Sequence, residues 1–155
     1  MPHRLTARDR HRAREAALQM LYQWEVGRGE PAGVPESYWA LDRAGTAAAA
    51  AVRERANQLA LGTISRVKEL DPIIATHAQH WRLSRMAVVD RQILRLAVFE
   101  LQEDQAAPAS VVIDEALELA RTFSTEDAVR FVNGVLDAIR RTLEGGSGAP
   151  PVPDP

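Results

Sequence analysis

The sequence has no cysteine, a single lysine and no long apolar segment. Without cysteine there is no disulfide framework and no thiolate chemistry. No apolar run approaches the roughly 20 residues that a membrane-spanning helix needs, and the N-terminus lacks the apolar stretch of a signal peptide. We therefore expect a soluble, cytoplasmic protein. Lys68 is the one lysine among 19 basic residues, so arginine supplies nearly all of the positive charge.

Motifs of the common enzyme classes are also missing. The chain has no glycine-rich phosphate loop, no dinucleotide fingerprint and no nucleophile elbow. His77 and His80 are spaced for one helical face, but no cysteine or third clustered histidine completes a zinc site. An acidic face at 114–118 lacks the histidine that a di-iron motif requires. The sequence predicts no catalytic residue, no metal and no cofactor.

Apolar residues recur with the helical period of 3.6, and the alternation typical of strands is absent. We predict an all-α protein with about seven helices in two antiparallel sub-bundles that share a core, divided near residues 81–84. A single helical domain is expected over residues 1–144. Residues 145–155 are rich in glycine and proline, which predicts a flexible tail.

Capping signals predict where several helices begin. Thr6 and Asp9 are spaced as a capping box for the first helix. Asp71 precedes a proline, which predicts a helix with Asp71 as its N-cap and proline in the first position. Ser110 is a candidate cap for a later helix, and the sequence STED at 124–127 indicates a capping box before the last one.

Two segments and two single residues carry further expectations. Glycines and prolines predict a loop at 27–35, and an alanine run predicts one helix over 47–70. Glu100 falls on the apolar face of its predicted helix, which favours a buried structural glutamate over a catalytic one. Gly134 lies inside the last predicted helix, where we expect a close-packing point.

Positive charge is concentrated at the N-terminus. Residues 1–14 hold five arginines and one aspartate, a net charge of +4, whereas the whole chain carries −2, so the remaining residues carry −6. This local patch predicts a polyanionic partner. On a helical wheel Arg8 and Arg12 point away from the apolar face and Arg10 and Arg14 flank it, so one helix can pack inward and present cations outward. His11, within the run, weakens its charge at neutral pH.

Three blocks of sequence, in order, carry a resemblance to a known family. The blocks are RAREAALQMLYQW at 12–24, VDRQILRLAVFEL at 89–101, and VIDEALELAR at 112–121 with FVNGVLD at 131–137. Over about residues 8–143 the chain resembles the NusB family of transcription antitermination factors. The match is weakest at 27–58.

The resemblance implies a non-catalytic helical protein that binds boxA, a short single-stranded RNA element of ribosomal RNA leader transcripts. It also implies pairing with NusE, the small-subunit ribosomal protein, in a complex that helps RNA polymerase read through terminators. It implies an RNA surface that contains Arg10, Arg12, Arg14, Asp127 and Phe131, and we add Arg8 because it extends the same arginine run. It implies a protein-partner surface that contains Tyr22 and Asp90. Phe131 could stack an unpaired base if it faces the same surface as the arginines.

Two alternatives are consistent with the same residues. In the first, the chain is a homodimeric protein-interaction module that hides the basic helix. In the second, it is a NusB-like accessory module for an RNA-modifying enzyme, since similar domains precede RNA methyltransferase domains. Light scattering with and without RNA tests the first alternative, and a methyl-transfer assay tests the second.

Overall fold

The computed structural model describes residues 4–41, 47–78, 82–103 and 107–145. These residues form seven α-helices and one short 3-10 turn, with no β-strand among them. The helices are α1 (Ala7–Gly27), α2 (Gly33–Trp39), α3 (Ala47–Ser65), α4 (Val67–His77), α5 (Val88–Gln102), α6 (Ala109–Phe123) and α7 (Glu126–Gly145), and the 3-10 turn is Leu83–Arg85. The all-α prediction is confirmed. None of the described helices is both long and apolar enough to cross a membrane.

The chain divides into two compact units after Arg66, so α1, α2 and α3 form the first and α4 to α7 the second. We predicted a division near residues 81–84, which is wrong because α4 packs on α5 and α7. One contact that holds α4 there joins His77 Nε2 to Thr142 Oγ1 of α7 at 3.0 Å. The predicted helix end near Trp81 lies outside the described residues, and so does the predicted tail beyond Gly145.

In the first unit α1 packs along α3. The predicted capping box of α1 is confirmed: the Asp9 N–H donates to Thr6 Oγ1, and the Thr6 N–H donates to Asp9 Oδ2, both at 3.0 Å. At the other end Arg28 has a left-handed backbone, with φ of 55°, and its N–H donates to the Trp24 carbonyl. Both ends of α1 are therefore fixed by local hydrogen bonds.

The loop predicted at 27–35 is shorter in the structure, because α2 begins at Gly33. Pro35 is tolerated in the first turn of α2, where a backbone N–H has no intrahelical partner to lose. Side chains then attach α2 to its neighbours. The Tyr38 hydroxyl donates to Gln19 of α1, and Trp39 Nε1 donates to Asn57 Oδ1 of α3 at 2.7 Å.

The single helix predicted over 47–70 is two helices, α3 and α4, with a break at Arg66. Asp71 and the proline after it do not start a helix, since both lie inside α4. The proline removes one backbone hydrogen bond of α4. Asp71 is no cap, because its carboxylate accepts from Arg95 Nε and Nη2 on α5, each at 2.8 Å. A tertiary contact thus overrides the local start signal.

In the second unit α5 is the central helix, packed against α4, α6 and α7. It is buried continuously from Gln92 to Glu100, as expected for a helix with neighbours on several sides. The prediction that Glu100 is buried is confirmed, since only 2% of its surface is exposed.

The helix starts of α6 and α7 differ from one another in their capping. Ser110 does not cap α6: Pro108 holds the N-cap position, without a side-chain hydrogen bond. The capping signal before α7 is confirmed in part, because Thr125 Oγ1 accepts from the Ala128 N–H at 3.1 Å. Gly134 of α7 is not the predicted close-packing point. It is exposed, and nothing among the described residues lies within 4 Å of a Cβ built there.

Candidate nucleic-acid interface

One face of α1 is a solvent-facing stripe whose residues recur every three or four positions. Its members, which we call the α1 stripe, are Arg8, Arg12, Glu15, Gln19, Tyr22 and Val26. The stripe begins with cations and ends with two exposed apolar side chains. Because a helix rises by about 1.5 Å per residue, Arg12 and Tyr22 lie about 15 Å apart along the axis. One rigid element therefore carries two chemically different surfaces.

Three of the predicted RNA-binding arginines are exposed at the N-terminal end of α1, namely Arg8, Arg10 and Arg12. Within the described part of the chain, none of the three takes part in an ion pair. A helix N-terminus also carries a partial positive charge from its backbone dipoles. Side chains and backbone therefore favour an anion at the same end of α1.

Arg14 differs from these three, because only 5% of its surface is exposed. Ala17 and Leu18, one turn further on, are also buried. The packed sector of α1 is thus wider than the predicted apolar stripe and takes in Arg14. Arg14, predicted to flank the apolar face, therefore lies inside the buried sector, whereas Arg10, predicted to flank it as well, is exposed. The long aliphatic stem of Arg14 suits such a position, since arginine can bury its methylenes against apolar neighbours.

The other two predicted RNA-binding residues lie one turn apart on α7, in the second unit. Asp127 is exposed and its carboxylate pairs with Arg130, whereas Phe131 is half-buried. Their spacing of four residues places Asp127 and Phe131 on the same side of the helix. A carboxylate that already holds a guanidinium contributes little net charge, so Phe131 is the stronger candidate for contacting a base.

The two predicted protein-partner residues lie in different units. Tyr22 belongs to the α1 stripe and is 47% exposed. Asp90, in the first turn of α5, accepts from Ser124 Oγ at 2.6 Å. Ser124 immediately precedes Thr125, the cap of α7, so Asp90 lies beside the start of the helix that carries Asp127. The predicted site residues therefore lie in two groups, one on α1 in the first unit and one around the start of α7 in the second.

Sequence reasoning missed Val26 as part of this surface. Val26 is 59% exposed and lies one turn beyond Tyr22. The available signal was the spacing: two apolar residues four apart, both off the core stripe of an amphipathic helix, favour an exposed apolar patch.

No cluster of three or more metal-ligating side chains occurs within the described ranges. His77 makes structural contacts there, with Nδ1 lying 2.8 Å from the Ile73 carbonyl and Nε2 against Thr142. Its possible metal partner, His80, lies outside the described residues.

Known proteins similar to this chain agree on one family. The model of the NusB family matches residues 11–141. A transcription antitermination protein NusB from Solibacter usitatus is 45% identical over 145 residues, covering 92% of this chain and 95% of that protein. NusB of T. maritima superposes with a TM-score of 0.74 at 34% identity, covering 85% of this chain and 90% of that one. A structure of the antitermination factors NusB and NusE in complex with double-stranded RNA gives a TM-score of 0.78 at 28% identity, covering 88% and 99% of the two chains.

Proposed function

The chain belongs to the NusB family, and on that basis we propose that it is a transcription antitermination factor that binds boxA-type RNA together with NusE. The RNA is a single-stranded element of ribosomal RNA leader transcripts, and the complex promotes read-through by RNA polymerase in the cytoplasm. Its action is docking without catalysis. The observation that carries the proposal is the α1 stripe, which places exposed arginines and an exposed tyrosine on one helix.

The cationic end of α1 supplies the RNA contacts. Arg8, Arg10 and Arg12 bind phosphates through planar guanidinium donors, and each phosphate that they neutralise releases condensed counterions. These contacts position the RNA without reading its sequence. Sequence preference then requires contacts to unpaired bases, and Phe131 with Asp127 is the pair we assign to that role, by stacking and by base-edge hydrogen bonding.

The apolar end of α1 supplies the protein contact. Tyrosine offers a large rigid surface and is enriched in interfaces, and Tyr22 with Val26 forms such a surface. We assign Asp90 to the same partner. With RNA and NusE held about 15 Å apart on one helix, NusE can add its own RNA contacts without waiting for a second diffusional encounter. NusE therefore raises RNA affinity although neither protein changes chemically.

The first test measures RNA binding by fluorescence anisotropy. The variant R8A/R10A/R12A should bind boxA-type RNA about 10- to 100-fold more weakly at low salt. Its slope of log affinity against log salt should fall by about 2, since each phosphate contact on single-stranded RNA contributes about 0.7. The matched control R85A/R121A/R141A removes the same charge from exposed positions in the second unit. Equal losses in the two triple variants would contradict a localised RNA surface, and a scrambled RNA and a duplex measure sequence and strand preference.

The second test concerns the protein partner. Tyr22→Ala should leave binding of RNA alone unchanged and abolish most of the increase in RNA affinity that NusE gives. Leu143→Ala is the matched control, because Leu143 is an apolar side chain with a similar exposure, 44%, at the far end of α7. A NusE effect that survives Tyr22→Ala would remove the apolar end of α1 from the interface. An RNA-insensitive homodimer in light scattering would support the interaction-module alternative.

A further inference from the structure

His11 lies among the exposed arginines of α1 and is paired with an acid of the α1 stripe. Its Nε2 is 2.7 Å from Glu15 Oε1, and the two side chains are 31% and 35% exposed. Both are thus partly open to solvent and to any RNA that lies on the arginines. Glu15 adds a negative charge to the cationic surface. A protonated His11 offsets that charge, whereas a neutral His11 does not.

One proton changes the charge of this surface by one unit. The segment 8–15 contains four arginines, two acids and His11, so its net charge is +2 with a neutral imidazole and +3 with an imidazolium. Histidine is the side chain that ordinarily changes charge between about pH 5 and pH 8. Because phosphate binding depends on the number of cations at the contact, the added charge strengthens the contact with an RNA phosphate.

Several charged groups surround His11. On α1 itself they are the stripe residues Arg8, Arg12 and Glu15, with Asp9, Arg10 and Arg14 beside them. The helices packed against α1 also carry charged residues, which are Glu36 on α2 and Arg53, Glu54 and Arg55 on α3. The arginines disfavour an imidazolium and Glu15, in direct contact, favours it. The change of one charge on protonation is the same whichever of these influences is larger.

We propose that protonation of His11 strengthens RNA binding by α1, so that the affinity of this chain for RNA rises as the pH falls through the titration of histidine. The inference rests on the proposed RNA-binding function and adds a regulation to it. Linkage requires the reverse effect as well: bound RNA must favour the protonated imidazole, so RNA binding takes up protons at intermediate pH. Proton uptake is a readout that a purely structural role of His11 would not produce.

The experiment titrates single-stranded boxA-type RNA into the full chain at constant ionic strength, at about pH 8 and about pH 6. Wild type should bind about three- to tenfold more tightly at the lower pH, as expected for one added phosphate contact. His11→Gln should show no more than about a twofold change, and His11→Arg should bind tightly at both pH values. Calorimetry in buffers of different ionisation enthalpy should detect proton uptake in wild type and not in His11→Gln.

The controls distinguish a failure of the His11 proposal from a failure of the proposed RNA-binding function. His77→Gln, a histidine substitution in the second unit, should retain the pH dependence of wild type. If RNA binds but wild type and His11→Gln respond equally to pH, the role of His11 is overturned and the RNA-binding function stands. If neither wild type nor His11→Arg binds RNA at either pH, both fall. Thermal unfolding of each variant at both pH values confirms that folded protein is being compared.

Discussion

Three arginines at the start of α1 and two arginines of the second unit occupy different environments. Arg8, Arg10 and Arg12 are exposed and enter no ion pair within the described ranges. In the second unit Arg95 is buried and holds Asp71 with two hydrogen bonds of 2.8 Å, while the exposed Arg130 is paired with a carboxylate one turn away. The same residue type is therefore open to a partner in one place and already paired with a carboxylate in the other.

The two environments differ in whether the guanidinium is already paired with a carboxylate of the same chain. A buried arginine must be paired, because leaving water costs several kcal/mol unless a carboxylate compensates. An exposed arginine without a carboxylate keeps its charge available for a phosphate. The proposed RNA surface on α1 therefore rests on arginines that are exposed and unpaired within the described ranges, and not on arginine content alone.

Arg95→Ala should destabilise the protein by about 3 kcal/mol, because it leaves the Asp71 carboxylate without its buried partner. Urea unfolding followed by circular dichroism measures the loss. Arg121→Ala is the control: Arg121 pairs with Glu118 at an exposed position, where an ion pair contributes about 0.5 kcal/mol. Similar unfolding midpoints for the two variants would mean that the Arg95 pair does not stabilise the second unit.

Within α1 the comparison can be made between two neighbouring arginines. Arg14→Ala should lower the free energy of unfolding by about 1–3 kcal/mol, since it removes a buried stem and its packing. Arg12→Ala should change stability by less than about 0.5 kcal/mol and lower RNA affinity instead. Unfolding measurements and RNA titrations of both variants give the stability loss and the affinity loss of each. If Arg14→Ala weakened RNA binding as much as Arg12→Ala at equal folded fraction, the buried arginine would belong to the RNA surface.

The features that were predicted correctly from sequence are those determined within one or two helical turns. Thr6 and Asp9 form the predicted capping box because both partners are three residues apart. Glu100 is buried as predicted because its position on the apolar face of α5 follows from helical periodicity alone. Arg8 and Arg12 face solvent for the same reason.

The features that were missed depend on contacts distant in sequence. Asp71 has every local mark of a cap, yet Arg95, 24 residues later, takes its carboxylate. Arg14 lies at the border of the apolar stripe, where a helical wheel does not determine whether a residue is buried. The packing of α1 against its neighbours determines that. The periodicity of a helix specifies an angle for each residue but not how wide the buried sector is.

Thr6→Ala should reduce stability by about 1 kcal/mol by removing the side-chain cap that accepts from the Asp9 N–H. RNA affinity should fall slightly, because a frayed first turn no longer holds Arg8 and Arg10 in one geometry. Thermal unfolding and RNA titration give the two values. Thr6→Ser keeps the hydroxyl and should behave as wild type, so a loss of similar size in both variants would argue against the cap.

Gly134→Ala is the smallest predicted change and has the opposite sign. Glycine in a helix interior is less favourable than alanine by about 0.5–1 kcal/mol, because it loses more backbone freedom on folding. A side chain at residue 134 would meet open space among the described residues, so nothing there offsets the gain. The variant should therefore unfold at a higher denaturant concentration than wild type. A lower midpoint would mean that the space beside α7 is occupied in the folded protein, and that this glycine does mark a close approach.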